Sequence, residues 1–343
     1  MTDTLSVTFS GRGAALLSQA RRFCEPGLRE AVTALPDPID RMANYHFGWC
    51  DRSGKPTRSG WGKGLRAALV FGAAKACAAD PANVAAAAVA VELMHNFTLV
   101  HDDVMDCDRL RRGRTTVWAV WGTAQAICLG DALHALAVRV LATTFPGRLG
   151  SEAVARLESA AVELCRGQMQ DCAFETRPIV GIEDYLTMAA GKTGALFGCA
   201  TALGALCAGA DSSTTAGLAS FGRELGLAFQ LVDDVLGIWG DPATTGKPAG
   251  GDLIRRKQSY PVVAALASET PAAEELSQLY RSRRPITQTE ATHAATLVQA
   301  AGGRRSAARQ VEQRITAAIT ALPHPMTARD LIDLAHLVGH RDR

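Results

Sequence analysis

Apolar residues recur at i, i+3 and i+4 over long stretches of this chain that contain no internal proline, with polar residues between them. Leu65 to Ala79, Pro81 to His101, Ala124 to Thr144 and Glu152 to Phe174 all keep that period, and the strong helix formers Ala and Leu dominate them. The strict alternation that marks a half-buried strand is almost absent. The pattern therefore predicts an all-α protein, helical again from about Ala272 onward with more surface charge. Clusters at Pro146-Gly147, Pro242 to Gly251 and Pro323 to Pro325 read as loops between helices, not as domain boundaries. No repeat with a period of ~20 to 50 residues, as in solenoids, is found. The expectation is a single helical domain over residues 1–343, with residues 1–15 as a flexible N-terminal segment.

Composition narrows the function. With 48% hydrophobic residues in 343, the chain can bury a large core. Lys+Arg 36 against Asp+Glu 34 leaves a net charge of +2, so there is no global basic field of the kind that draws nucleic acid or an anionic membrane surface. Nine cysteines, with no CxxC pair, fit reduced and buried thiols in a cytoplasmic protein. The opening MTDTLSVTFSGRG has no apolar core of a signal peptide. The uncharged run Thr193 to Ala210 approaches the ~20 residues of a membrane helix, but its Ala, Gly and Thr content reads as a buried core helix, so no transmembrane segment is expected.

Charge chemistry must then be local, and it concentrates at "LVHDDVMDCDRLRRGRTT". If the helix from Pro81 continues to about Asp106, Asp102 and Asp106 share one face with Asp103 beside them, at the end where the helix dipole disfavours anions. Hard carboxylate oxygens at this spacing suit Mg²⁺, which takes one or two carboxylates and completes its shell with water and substrate phosphates. A lone DxxxD would be a solvated helix end neutralised by Arg109, Arg111 and Arg112. A second cluster, Asp233-Asp234 in "FQLVDDVLGIWGD", again ends an apolar helical run, Leu225 to Val232, and is followed by Lys247 and Lys257.

With these motifs the chain resembles the trans-isoprenyl diphosphate synthases, or polyprenyl synthetases, from roughly Gly62 to Pro261. The first aspartate-rich motif with its RRG matches Asp102, Asp103, Asp106 and Arg111-Arg112-Gly113. The second matches Asp233-Asp234, followed by Gly246-Lys247, Asp252 and Lys257. Between them stand Gly130-Asp131, the GQMQD of Gln168 and Asp171, and the GKTGALF of Lys192-Thr193.

The resemblance implies a single large helical bundle of the isoprenoid synthase type, a central catalytic cavity and a homodimer. It implies Mg²⁺ held by carboxylates drawn from Asp102, Asp103, Asp106, Asp233 and Asp234, with Asp102, Asp106 and Asp233 as principal ligands. Arg111, Lys192, Lys247 and Lys257 would grip the diphosphate of an allylic substrate, which is dimethylallyl, geranyl or farnesyl diphosphate. "GKGLR" is similar to the family's GKRLRP, so Lys63 and Arg66, with His95 and Arg112, would bind isopentenyl diphosphate. Thr193 and Gln230 would turn dipoles toward the carbocation. Without the motif, His95 would read as a core histidine and the lysines as solvated loop charges. Trp118, Trp121 and Trp239 are assigned no role.

The chemistry accounts for these residue types. An allylic C–O bond ionises only if the charge on the departing diphosphate is neutralised in the transition state, and fixed cations do this without reorganising. Two departures from the family pattern stand out. Gly64 and Ala67 replace an Arg and a Pro in the GKRLRP-like stretch, and Gly237 replaces the last aspartate of the second motif. Asp241, one turn further on, is the candidate to substitute for it through water, and an aspartate restored at 237 is expected to change little.

At ~1.5 Å of rise per residue, Thr98, Phe97 and Met94 lie ~6, ~7.5 and ~12 Å along the helix from Asp102. In the resembled family, an aromatic five residues before the first aspartate closes the floor of the cavity. Phe97 with small Thr98 and no insertion between Asp102 and Asp106 looks most like synthases with a twenty-carbon product, geranylgeranyl diphosphate. Fifteen-carbon farnesyl diphosphate is the alternative. A class I terpene cyclase shares the fold and metal motifs but has no use for Lys63, Arg66, His95 and Arg112 together. A non-catalytic subunit would lack the first aspartate motif, which is complete here.

Overall fold

Asp80 starts the helix that carries the first aspartate motif. Its carboxylate accepts a hydrogen bond from the Ala82 amide at 2.9 Å. Pro81, whose fixed φ suits a first helical position, opens a 3₁₀ turn that runs into a helix ending at Met105. The computed structural model describes residues 3–57, 61–177, 179–241, 250–282, 284–324 and 327–340. In chain order its elements are α1 (Asp3–Thr33), α2 (Ile39–His46), α3 (Leu65–Ala76), α4 (Ala85–Met105), a hairpin of β1 (Leu110–Arg111) and β2 (Arg114–Thr115), α5 (Val117–Trp121), α6 (Thr123–Thr144) and α7 (Gly147–Phe174). There follow α8 (Ile182–Ala189), a π turn (Ala190–Gly194), α9 (Ala195–Cys207), α10 (Ser212–Trp239), α11 (Gly251–Ile254), α12 (Tyr260–Leu266), α13 (Pro271–Arg281), α14 (Gln288–Ala300), α15 (Gly303–Ala321) and α16 (Arg329–Gly339). The architecture is all-α, and each long periodic segment of the sequence is helical. Within the N-terminal segment, α1 begins at Asp3.

The chain divides into two compact units. The first comprises Met1–Ala161, Leu196–Gly222 and Ala321–Leu334. Its centre is α4, whose Ala87, Ala88, Ala90, Val91, Leu93 and Met94 are fully covered. A stripe of α1 at every fourth residue, Leu16, Ala20, Cys24, Leu28 and Val32, is buried as well. The uncharged run after Thr193 forms α9, with Leu196, Phe197, Ala200 and Leu203 in the core, as the Ala, Gly and Thr content predicts.

Among the described residues two helices, both in this unit, are long and apolar enough to cross a membrane, α4 with its preceding turn and α6. They differ in coverage: 72% of the most apolar window is buried in the first, but only 39% in α6. The former is a core helix. The latter presents an apolar face with Ile127 43% exposed.

The second unit comprises Val162–Ala195, Arg223–Thr320 and Ala335–Arg343. Its apolar cluster gathers Ile238 of α10, Leu253 of α11, Val262 of α12, Leu276 of α13 and Ala291, Ala294 and Val298 of α14. Each fully buried aliphatic side chain there contributes about 1.5 to 3 kcal/mol of transfer free energy. The cluster fixes the end of α10, where the second aspartate motif lies. Thr287 and Glu290 close a reciprocal capping box at the start of α14, satisfying two amides that the helix itself leaves unpaired.

Candidate active site

In the first unit, α4 delivers the three aspartates at its C-terminal end, and they do not share one environment. Asp102 is half-buried, and Asp106, the C-terminal cap residue, is exposed on the same face one turn on. Asp103, about 100° further round the helix, is only 2% exposed. Its Oδ1 accepts from Arg111 Nε at 2.8 Å and Nη2 at 2.7 Å. Burial pushes the Asp103 carboxyl up, and Arg111 opposes that.

The RRG of the sequence is the turn of the β1–β2 hairpin. Arg112 and Gly113 take φ of 53° and 71°, the pair of left-handed residues that a two-residue hairpin loop requires. Glycine accepts this conformation freely, and Arg112 is tied down by donating from Nη1 to the Trp61 carbonyl at 2.5 Å. The hairpin thereby places Arg111 and Arg112, with Arg114, against a cavity of about 250 Å³ lined also by Tyr45, His46 and Asp103. His46 hydrogen bonds Asn96 at 3.0 Å, and burial followed by Arg112 and Arg111 lowers its pKa to about 3. His95 is likewise held neutral, by burial first and then by Arg66 and Arg112. Of the four residues expected to hold isopentenyl diphosphate, Arg66, His95 and Arg112 thus lie within electrostatic reach of one another. Lys63 is exposed in the segment leading into α3.

Phe97 is 8% exposed and stacks on His134 of α6 at 5.1 Å, while meeting His101 edge-on at 4.8 Å. His134 Nε2 lies 2.8 and 3.0 Å from the two carboxylate oxygens of Glu158 on α7. Thr98 is buried, its hydroxyl donating to the His95 carbonyl, and Met94 is fully covered.

In the second unit the division among aspartates repeats. Asp233 is exposed near the end of α10, whereas Asp234 is 1% exposed. The Asp234 carboxylate accepts from Tyr185 Oη at 2.5 Å, from the Tyr260 amide at 2.8 Å and from Gln230 Nε2 at 3.0 Å. Lys257 Nζ stands 3.9 Å away. Burial pushes the Asp234 carboxyl up against the pull of Lys257. Burial would lower the Lys257 pKa, but Asp234, Asp252 and Asp171 outweigh it and raise it.

Lys192 and Thr193 sit on the π turn, a widened stretch of helix that re-aims side chains and often marks functional positions. Lys192 Nζ pairs with Asp171 Oδ2 at 2.5 Å, and Thr193 donates to Gln230 Oε1 at 2.7 Å. Burial opposes charge on Asp171, but Lys192 and then Lys257 hold its carboxyl below the usual range. Lys247 lies outside the described residues.

One rule covers both units. Each described cation expected on the allylic diphosphate is held by a sheltered carboxylate: Arg111 by Asp103, Lys192 by Asp171 and Lys257 beside Asp234. The sequence names Asp103 and Asp234 as metal ligands, but the structure commits both to protein partners. Asp102, Asp106 and Asp233 are the carboxylates turned outward. Among the described residues no three His, Cys, Asp or Glu side chains form a ready metal cage. In each unit by itself the outward carboxylates, Asp102 and Asp106 in the first and Asp233 in the second, are of the kind that suits Mg²⁺, which keeps most of its shell for water and phosphate oxygens.

At Gly237, where an added aspartate is expected to change little, a side chain would have a close neighbour. A Cβ at Gly237 would lie 2.1 Å from Asp252 Oδ2 and 2.6 Å from its Cγ. Sequence reasoning also missed Tyr45, His46, His134, Glu158 and Tyr185. Only the polar–aromatic NYH of residues 44–46 hinted at any of them.

The family model described as polyprenyl synthetase matches residues 49–298, most of the chain and all of the motifs above. The chain belongs to the polyprenyl synthetase family. It is a trans-prenyltransferase that elongates prenyl chains. It is 50% identical to a geranylgeranyl diphosphate synthase of Mycobacterium tuberculosis, over 99% of this chain and 98% of that protein. It is 41% identical to a (2E,6E)-farnesyl diphosphate synthase of Mycobacterium bovis, over 95% and 92%. Among solved structures, a polyprenyl synthetase of Streptomyces coelicolor superposes with a TM-score of 0.90 at 43% identity, covering 94% of this chain and 98% of that one. A geranylgeranyl pyrophosphate synthase of Corynebacterium glutamicum, complexed with calcium and isoprenyl diphosphate, superposes at 0.75 with 29% identity, covering 95% and 96%.

Proposed function

We propose that this synthase condenses isopentenyl diphosphate head-to-tail with an allylic diphosphate to make geranylgeranyl diphosphate, with Mg²⁺ as its metal, working as a homodimer. Buried Phe97, five residues before Asp102 and braced by His134, carries the product assignment, because it is the aromatic wall nearest the motif along α4. The 50% identical relative supports the same product.

Asp102, Asp106 and Asp233 hold the metal, which supplies Lewis-acid neutralisation of the charge on the departing diphosphate. Arg111, Lys192, Lys247 and Lys257 bind that diphosphate. Their carboxylate partners Asp103, Asp171 and Asp234 aim the three described cations in advance, which reduces the reorganisation left for the transition state. Lys63, Arg66, His95 and Arg112 hold isopentenyl diphosphate, whose double bond attacks the allylic cation. A proton then leaves to the released diphosphate. Thr193 and Gln230 present dipoles to the cation. Dimerisation is supported by α6, apolar yet largely uncovered, and by exposed Val162 and Met169 on α7.

Purified protein incubated with labelled isopentenyl diphosphate, farnesyl diphosphate and Mg²⁺ should give a twenty-carbon diphosphate, and EDTA should abolish it. A fifteen-carbon end product from geranyl diphosphate would replace the product assignment with farnesyl diphosphate. Cyclic hydrocarbon from the allylic substrate alone would overturn elongation itself.

A further inference from the structure

α3 begins without a cap of its own. Its N-cap residue is Gly64, left-handed at φ 66° and with no side chain to accept from the first-turn amides, and a Cβ there would come within 3.0 Å of Arg21 and 3.1 Å of Trp61. The acceptor comes from α4 instead. Glu92 is 3% exposed, its Oε1 accepts from the Ala67 amide at 2.9 Å, and the Arg66 amide lies within hydrogen-bonding reach of the same carboxylate. A proline at 67, as in the GKRLRP pattern, would have no N–H to give. One buried carboxylate therefore holds the turn that carries Arg66. We infer that Glu92 is a positioning residue for isopentenyl diphosphate, fixing the backbone at Arg66 relative to His95 so that the cations of this subsite stand in place before the diphosphate arrives. The inference rests on the isopentenyl diphosphate site proposed above.

Glu92 lies one turn before His95 on α4, so its bond to Ala67 ties the start of α3 to the helix that supplies the histidine. The other end of the segment is tied as well. Arg112 Nη1 donates to the Trp61 carbonyl, and a Cβ at Gly62 would lie 2.9 Å from Arg112 Nη2, so residues 61 to 67 are held by Arg112 at one end and Glu92 at the other. The Arg66 guanidinium lies over the Phe197 ring at 4.9 Å. With its backbone held and its head stacked, the side chain has one direction. α4 is steadied at the same level, where Asn96 Nδ2 donates to the Glu92 carbonyl at 2.7 Å and Asn96 Oδ1 lies 3.0 Å from His46 Nε2. Charge gives a second reason for an acid here. Burial pushes the Glu92 carboxyl up, and the Ala67 amide, then Arg66 and Arg112, oppose that. A carboxylate within reach of both guanidinium groups offsets their mutual repulsion while no substrate is bound.

The test is steady-state kinetics with each substrate varied in turn, and thermal melts with and without isopentenyl diphosphate. Glu92→Gln keeps the length of the side chain but sets one amide donor against another, and Glu92→Asp keeps the charge but withdraws it by one methylene. Each should raise the KM for isopentenyl diphosphate about tenfold or more while the KM for farnesyl diphosphate stays within about twofold of the parent's. The melting shift given by isopentenyl diphosphate alone should shrink in both. Neutralising a carboxylate beside an anion site would by charge alone tighten anion binding, so weaker binding in Glu92→Gln reports lost position. Arg66→Gln is the control for the site and should raise the same KM. If it does and both Glu92 variants keep the parent's KM, the inference is overturned and the site stands. Equal rises in the two KM values with an early melt would make Glu92 a helix cap and nothing more, which also overturns it. An unchanged KM in Arg66→Gln overturns the site and the inference together.

Discussion

Phe97 lies nearly flat against His134, ring centroids 5.1 Å apart and planes 22° from parallel, and Glu158 fixes the imidazole from its far side. The aromatic wall ahead of the first aspartate motif is therefore a layered brace across α4, α6 and α7. Phe97→Ala removes the wall, so products should lengthen by one or more five-carbon units with metal dependence unchanged. His134→Ala should lengthen them less, because the ring stays but loses its backing. Chromatography of the dephosphorylated alcohols reads both, and an unaltered distribution in Phe97→Ala would reject the wall.

Acid should loosen the first unit through its buried histidines. His46 titrates at about 3 in the folded protein against 6.5 unperturbed, and His95 is lowered too. Above pH 6.5 the imidazoles are neutral folded or unfolded. Between 6.5 and about 3 the unfolded chain binds protons that folded His46 refuses, so stability falls as pH falls through that window, by at most ~1.4 kcal/mol per pH unit and group. His46→Gln keeps a donor for Asn96 and cannot titrate. Between pH 7.5 and 5.5 the parent should lose more melting temperature than this variant, and equal losses would remove His46 from the account.

The outward aspartates were legible because a four-residue spacing on a helix is a statement about one face. The consecutive pairs divide for the same geometric reason: neighbours such as Asp233 and Asp234 diverge by about 100°, so one of each pair turns toward protein. His134 was not legible in its role. Phe97 meets His134 because of how α6 is rotated against α4, a relation that no local pattern encodes. The π turn under Lys192 and Thr193 left no signal beyond two nearby glycines, Gly191 and Gly194.

The proposed homodimer would put the uncovered face of α6 to use. Ile127 is 43% exposed on a helix whose most apolar window is only 39% buried, and a charge there should cost association without disturbing the unit's core. Light scattering at micromolar concentration should give twice the chain mass, and Ile127→Glu should shift it toward the monomer. A monomeric parent would end the proposal.

Asp233 and Asp234 are adjacent in sequence and should fail in different ways. Asp233 is exposed and assigned to the metal, so Asp233→Ala should lower kcat by about 10² or more and cost less melting temperature than truncation of Asp234, and Asp102→Ala and Asp106→Ala should lower kcat likewise. Asp234 is 1% exposed and accepts from Tyr185, Tyr260 and Gln230 with Lys257 close by. Truncating it leaves those donors and a buried cation without their acceptor, a loss on the order of 3 to 5 kcal/mol, so Asp234→Ala should melt markedly earlier. Asp234→Asn retains one acceptor and should fall between. Calorimetry beside steady-state kinetics separates the two residues. Equal melting losses at 233 and 234 would mean that the inward and outward roles are wrongly divided.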